Sequence, residues 1–305
     1  MKSVTLPCRT QHREGHREVR LRLHTRPTRL CWMVSPTHGS NNAVGSPAPI
    51  GAEDGATAPE QGLSLTGERT VPGIPEENYW FRRHEVAYEY IADRCHGRDV
   101  LEAGSGEGYG ADLLSAVARS VTCVDYDQSA VEHTRARYPH LTIHQANLID
   151  LPLADASMDS VVNFQVIEHL WDQPAFVAEC LRVLRPGGEL LMSTPNRITF
   201  SPGRDTPLNP FHTRELDPAE LHELLSAAGF SVTEQLGVRH GRGLRELDTR
   251  WGGSFIDAQI DRALSGQAWP SDLTADVAGV STADFDISDT DLDSSLDLLF
   301  VAVKP

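Results

Sequence analysis

The chain has 305 residues, enough for one large domain or two small ones, and its 40% hydrophobic and 23% charged content is ordinary for a globular protein. A net charge of −16 argues against a general nucleic-acid surface, and no apolar run reaches the length of a membrane span. Cys8, Cys31, Cys95, Cys123 and Cys180 include no C-x-x-C pair, which argues against a zinc site or a disulfide framework. Cys123 and Cys180 sit among apolar residues and read as small buried hydrophobes of a reducing compartment, so a cytoplasmic location is expected.

Residues 1–62 read as an extension outside the core. The first 40 hold eight Lys and Arg against Glu14 and Glu18, with no apolar h-region to support a secretory signal. Residues 36–60 are dominated by Gly, Pro, Ala, Ser and Asn, a linker composition. A flexible tail and a start codon placed too far upstream are the favoured readings, with a targeting peptide as the third. The folded domain is expected over 63–305. Gly67 to Pro75 is an irregular lead-in, and Arg82 to Ala92 reads as a helix with Val86, Ala87, Tyr90 and Ile91 as its apolar stripe.

The stretch Asp99-Val-Leu-Glu-Ala-Gly-Ser-Gly-Glu-Gly-Tyr-Gly110 follows, and the rest of the chain is organised around it. Val100 and Leu101 make a short strand. Gly104, Gly106 and Gly108 then alternate, so backbone amides can approach a ligand closely. Ala111 to Ala118 reads as a helix whose N-terminus favours negative charge. Val121 to Val124 is a second strand, closed by Asp125, where a carboxylate is placed to accept from two ribose hydroxyls. A dinucleotide fingerprint G-x-G-x-x-G would need glycine at 109, and the residue there is Tyr109.

Further on, a helix is expected from Ser129 to Arg137, with Ser129 and Glu132 as a capping box. Strands are expected at Leu141–His144, Ser160–Gln165 and Glu189–Thr194, with a helix over Pro174–Leu184 stopped by Pro186-Gly-Gly188. Pro195 to Leu216 is a long polar loop. Asp217-Pro218 starts another helix by cap and N1 proline, and Phe230–Leu236 is a sixth strand. Residues 237–295 read as an insertion, a lid or subunit-contact segment with a helix at Ile256–Leu264 and an acidic run from Asp284 to Asp297. That run does not have the spacing of an EF-hand loop and reads as solvated, so no metal is expected. Leu296–Val303 closes the chain as a strand.

The acid at Glu102 before the alternating glycines resembles the first motif of the class I S-adenosylmethionine (SAM) methyltransferases. The run Gln165-Val-Ile-Glu-His-Leu170, and Arg182-Val-Leu-Arg-Pro-Gly-Gly188 before an apolar strand, resemble the same family, so the likeness covers 99–195 throughout. It implies an α/β fold with three layers: a Rossmann-like seven-stranded mixed sheet, six strands parallel and the last antiparallel, with helices on both faces. The core would be 97–236 and the final strand 296–303. It implies SAM as cofactor, held by Glu102, Gly104, Ser105, Gly106, Gly108, Asp125, Tyr126 and Gln165. Asn147 and Leu148 would meet the adenine, with Asn147 where the family usually has Asp. The helix before the first strand closes over the methionine end in such enzymes, so His84 or Arg82 is a candidate partner for the cofactor's carboxylate, a solvated surface helix being the alternative. The loop after strand five would shape the acceptor pocket. No Asn-Pro-Pro-Tyr-type motif follows strand four, which disfavours methylation of nucleic-acid bases.

A hydroxyl acceptor needs a base near the point of attack. The candidates are His169, at the exit of strand four, and His212, in the strand-five loop, with Glu168 orienting His169 or acting itself; each imidazole is otherwise a structural hydrogen-bonder. Glu68-Arg-Thr70, Tyr79 to His84, Ile198 to Asp205 and Asn209 to Glu215 resemble mycobacterial methyltransferases associated with 6-O-methylglucose lipopolysaccharide. That resemblance implies methylation of glucose 6-hydroxyls in an α-glucan. Trp80, Phe200, Phe211 and Trp251 are candidates to stack on sugar rings, against a default role in packing. The alternatives are another small hydroxylated acceptor such as a quinone or phenol, a SAM-binding module without turnover, and, more distantly, a nicotinamide enzyme.

Overall fold

The structure, a computed structural model, describes residues 70–305. The extension expected over 1–62, and the start of the domain at 63, lie outside the described residues.

In chain order the elements are α1 (Asn78–Cys95), β1 (Asp99–Ala103), α2 (Tyr109–Ser115), β2 (Ser120–Asp125), α3 (Gln128–Arg137), β3 (Thr142–Gln145) and β4 (Met158–Phe164). Then come α4 (Gln173–Val183), β5 (Leu184–Pro195), the single turn α5 (Arg197–Phe200), α6 (Pro218–Ala227) and β6 (Ser231–His240). The chain finishes with α7 (Arg242–Arg250), α8 (Phe255–Ser265), α9 (Ser271–Ala278), β7 (Phe285–Ser288) and β8 (Asp297–Val303).

The strands form one sheet in the order β3-β2-β1-β4-β5-β8-β6-β7. Neighbours from β3 through β5 pair in parallel. β8 is antiparallel to both β5 and β6, so β6 points the same way as the first five. Period-two alternation sorts the strand residues between two helical layers. Leu101, Val161, Leu190, Met192 and Phe300 face α4 and α6 through Phe176, Cys180, Leu221 and Leu225. Val100, Cys123, Val162, Leu191 and Val301 face α1, α2 and α3 through Ile91, Ala111, Leu114 and Val131. Each of the Val, Leu, Ile, Met and Phe side chains stabilises the fold by about 1.5–3 kcal/mol on burial.

The expected three layers and six co-directional strands are present, but the sheet has eight strands rather than seven. The eighth is β7, which lies inside the expected insertion and pairs antiparallel with the end of β6, Gly237 opposite Ser288 and His240 opposite Phe285. It alternates a buried Phe285 with an exposed Asp286, and four residues inside an acidic run carry too little pattern to be read as a strand. β6 runs on to His240, and three helices, α7 to α9, follow it before β7. These build a third apolar cluster, in which Leu244, Phe255, Leu273 and Val277 pack on Tyr79 and Val86 of α1. Asn78 extends that seam by donating to the carbonyls of Val277 and Val280 at 3.0 and 2.8 Å. A buried ion pair ties α1 to the last strand: Arg83 Nε and Nη2 donate to the two oxygens of Asp297, both at 2.6 Å.

Smaller differences concern helix ends. α3 is capped by Asp127, whose carboxylate accepts from the Ser129 amide, so the expected cap at Ser129 lies inside the helix. α6 has the expected start, a capping box between Asp217 and Glu220 with Pro218 in the first turn. Leu184 already pairs with Met158, so Pro186 to Gly188 interrupts a strand instead of ending a helix. No helix among the described residues is long and apolar enough to cross a membrane.

Candidate active site

Strand order reverses between β1 and β4, and a crevice opens at the carboxyl ends of strands at such a point. A cavity of about 870 Å³ lies there. Its floor is the glycine loop. Gly104 has φ +88°, and a Cβ on it would come within 2.6 Å of the Val166 side chain, so only glycine lets the loop lie against the exit of β4. Gly108 has φ +82° and serves as the N-cap of α2. Gly104, Ser105 and Gly106 line the cavity, whereas Gly108 sits behind it against Thr134.

The two acids flanking the loop differ. Asp125 reaches the cavity, and its oxygens accept from the amides of Gly106 at 2.8 Å and Asp127 at 2.9 Å, which aims the carboxylate along the rim. Glu102 does not line the cavity. It lies beneath the loop, accepts from the Tyr88 hydroxyl at 2.7 Å, and is pushed up to about 8 by burial, with Asp125 adding to the rise. Glu102 therefore holds the loop from below.

Tyr126, Asn147, Leu148 and Gln165 all line the cavity. Tyr126 is 75% exposed and stands at the mouth. Asn147 Oδ1 accepts from the Ile149 amide at 3.2 Å, an Asx turn that fixes the side chain and leaves the oxygen a second lone pair. Gln165 has φ +55°, a strained conformation for a residue with a side chain, costing on the order of 1 kcal/mol. It is held there by donating from its amide and from Nε2 to Ser193.

At the opposite end His84 lines the cavity beside Thr70 and Tyr109, with Nδ1 at 3.4 Å from the threonine hydroxyl and 3.5 Å from the tyrosine hydroxyl. The ring opens onto the cavity but is packed closely elsewhere, and burial lowers its pKa to about 4. It is neutral near pH 7 and would meet a carboxylate as a hydrogen-bonding partner instead of a cation. Neither neighbouring arginine lines the cavity: Arg82 pairs with Glu85, and Arg83 with Asp297.

On the His169 side of the cavity, the end of β4 meets the loop after β5. Glu168 is 1% exposed; its Oε2 accepts from Thr194 Oγ1 at 3.0 Å, and Oε1 has no hydrogen-bond partner among the described residues. Burial raises its pKa, opposed by His169 and His212. His169 lines the cavity, and its Nδ1 lies 3.1 Å from the Phe211 carbonyl, which can only accept, so the proton is on Nδ1 and the Nε2 lone pair is left. His212 Nδ1 meets Glu215 Oε1 at 2.7 Å, which fixes the same tautomer. The two rings meet edge to face at 4.9 Å, and His212 stacks on Phe200. The loop is held shut on β4 by Thr213, whose amide and hydroxyl both donate to the Glu168 carbonyl.

The structure thus brings Glu168, His169 and His212 together as the sequence suggests, and adds residues that had no place in the site on sequence grounds. Glu215 and Asn209 orient His212, and Tyr88, Tyr109 and Thr70 line the far end. Trp171 is 93% exposed at the cavity mouth. Of the aromatic residues proposed to stack on sugars, Trp80 and Trp251 pack in the third cluster instead, and Trp251 Nε1 donates to Asp276. The signal for Trp171 was its place just past the Gln165–Leu170 motif.

A bare backbone crook, an acidic tip at the second strand and a cavity at the switch point define a Rossmann-like enzyme that binds an adenosyl group. The match to known proteins gives its family. Residues 101–192 match the model of the family described as "Methyltransferase domain". A probable SAM-dependent methyltransferase of Mycolicibacterium smegmatis is 66% identical over 246 residues, covering 80% of this chain and 96% of that protein. One from Mycobacterium tuberculosis is 62% identical over 254 residues, 82% and 93% of the two chains. The Haloferax volcanii methyltransferase structure solved with its Trm112 activator aligns with a TM-score of 0.52 at 20% identity, over 73% of this chain and 91% of that one, a likeness of fold. The chain belongs to the SAM-dependent methyltransferases. Its cofactor is SAM, and the clearance that glycine alone provides at Gly104, beside the Asp125 carboxylate, fits an adenosyl ligand.

Proposed function

We propose that the chain is an O-methyltransferase acting on a primary hydroxyl of an α-glucan, the glucose 6-position of a methylglucose lipopolysaccharide. When bound, SAM supplies an electrophilic methyl group. Gly104, Ser105 and Gly106 would cradle the cofactor, Asp125 would accept from the ribose, Tyr126, Asn147 and Leu148 would border the adenine, and His84 and Gln165 would meet the methionine end. Glu102 and Gly108 would act through the loop they position.

The observation that carries the acceptor reading is the grouping of Glu168 and His212 behind His169, which lines the cavity. A sugar hydroxyl has a very high pKa and needs more activation than an amine or a phenol. His169, the one of the three that lines the cavity, keeps a lone pair on Nε2; Glu168 Oε1, 4.0 Å from it, would offset the positive charge that develops on the ring as it takes the proton. Trp171 and Tyr126 at the mouth offer flat apolar faces for sugar rings. The test is transfer of tritiated methyl from SAM to α-glucan oligosaccharides, to quinols and to phenols, with mass spectrometry of the product. Label on glucose 6-oxygens supports the reading; label on the quinol or phenol alone replaces the acceptor; SAM binding without transfer to any of them points to a binding module.

A further inference from the structure

We propose that Glu168, His169 and His212 bind one divalent first-row transition cation at the acceptor end of the cavity. The proposal rests on the assignment of this wall to the acceptor and changes how the wall activates it. No metal is expected from the sequence, in which Glu168-His169 and His212 stand far apart. The fold removes that separation.

Three observations point to an ion. One donor atom from each side chain lies within 4.8 Å of the others, the one such grouping of His, Cys, Asp and Glu among the described residues. Both imidazoles are fixed by partners that accept from Nδ1, His169 by the Phe211 carbonyl and His212 by the Glu215 carboxylate, so both present Nε2 lone pairs. A carbonyl or carboxylate behind each histidine is the usual outer support of metal-bound imidazoles. Glu168 supplies an acceptor with nothing to accept from: Oε1 is buried, has no hydrogen-bond partner among the described residues, and is the oxygen nearest His169 Nε2.

Two imidazoles and one carboxylate select Zn²⁺, Mn²⁺ or Fe²⁺ over Mg²⁺ and Ca²⁺, which prefer oxygen donors throughout. Bonds of about 2.1 Å place donors about 3–3.5 Å apart, so loading draws the three side chains together by about 1 Å. It also displaces Asn209 Nδ2, which donates to His212 Nε2 at 3.1 Å. Three protein ligands leave a coordination position open towards the cavity that His169 lines. An acceptor hydroxyl there would lose its proton to solvent more readily, its negative charge held by the cation. Lone pairs given to a metal cannot also take that proton, so the two modes of activation are distinguishable.

The experiment uses the full chain, stripped with chelator and titrated with Zn²⁺ alone in a calorimeter, with Mg²⁺ as the comparison ion. The expected result is one Zn²⁺ per chain, and binding at least tenfold weaker in His169→Ala and His212→Gln while SAM affinity and melting temperature hold. Because a variant can misfold, Co²⁺ is also added to the unmodified protein; visible bands of imidazole-bound Co²⁺ that Zn²⁺ removes support the site. Absence of stoichiometric Zn²⁺, or undiminished binding in both variants, overturns it. These measurements need no acceptor. If stripped protein without Zn²⁺ affinity still methylates a glucan, the metal fails and the base survives.

Discussion

The cofactor wall and the acceptor wall of the cavity are built differently. On the cofactor wall, the bond from the Gly106 amide to Asp125 spans 19 residues, and one strand-loop-helix-strand unit supplies both partners. On the acceptor wall, the contact of His169 with the Phe211 carbonyl spans 42 residues and joins the end of β4 to a loop beyond β5. The first wall is a local motif, and backbone geometry does most of its work. The second is assembled by tertiary closure, and side chains carry its chemistry. Substitutions should therefore separate the two: damage to one wall should leave the other's measurable intact.

The largest expected effect is on the acceptor wall. His169→Ala should lower turnover on the true acceptor by about 10²–10⁴-fold, with His212→Ala falling in the same direction, the range that positioned acid–base groups contribute. SAM affinity should stay within about twofold, as measured by calorimetry on the same samples. If both variants keep the parental rate, activation lies elsewhere.

Next in size is the scaffold shared by both walls. Arg83→Ala strands a buried carboxylate at Asp297 and should cost about 3–5 kcal/mol in denaturant melts. Because the pair ties α1 to β8 and not to either wall, a loss confined to SAM affinity with stability unchanged would argue against that role.

Asp125→Ala should weaken SAM by about 1.5–3 kcal/mol through lost charge-assisted bonds, with turnover at saturating cofactor much less affected. Unchanged affinity would remove Asp125 from the ribose.

The last prediction sharpens the position of Glu102 beneath the loop. Burial raises this carboxyl from its ordinary 4.5 to about 8, so the folded protein keeps a proton there that the unfolded chain gives up. That contribution to stability is complete below about 4.5 and fades as the pH rises through 8. Glu102→Gln does not titrate at this position and should gain stability relative to the parent as the pH rises between those limits. Urea melts across the range read this directly; parallel pH curves would mean that Glu102 is ionised throughout.

The difference between the walls also explains what could be read from the chain. The places of Gly104, Asp125, Gln165 and His169 on the cavity were legible because strand-end position and spacing set them there. His212 was found by residue type, but its orienting partner Glu215 was not, since only the closed loop brings carboxylate and imidazole within 2.7 Å. β7 and the helices α7 and α9 escaped for a related reason. Their apolar faces are short, Leu244 alone being buried in α7, and they make sense only against Tyr79 and Val86 of α1. Tyr109, used in the sequence only to exclude a dinucleotide fingerprint, proves to line the cavity beside His84.

Asp125→Ala and His169→Ala, titrated with SAM side by side and assayed for methyl transfer on the same preparations, test the separation of the walls most directly. The account predicts weakened SAM binding with turnover largely recovered at saturation for the first, and intact binding with lost turnover for the second. A His169→Ala protein that loses SAM as severely as Asp125→Ala, and turns over normally once saturated, would contradict it.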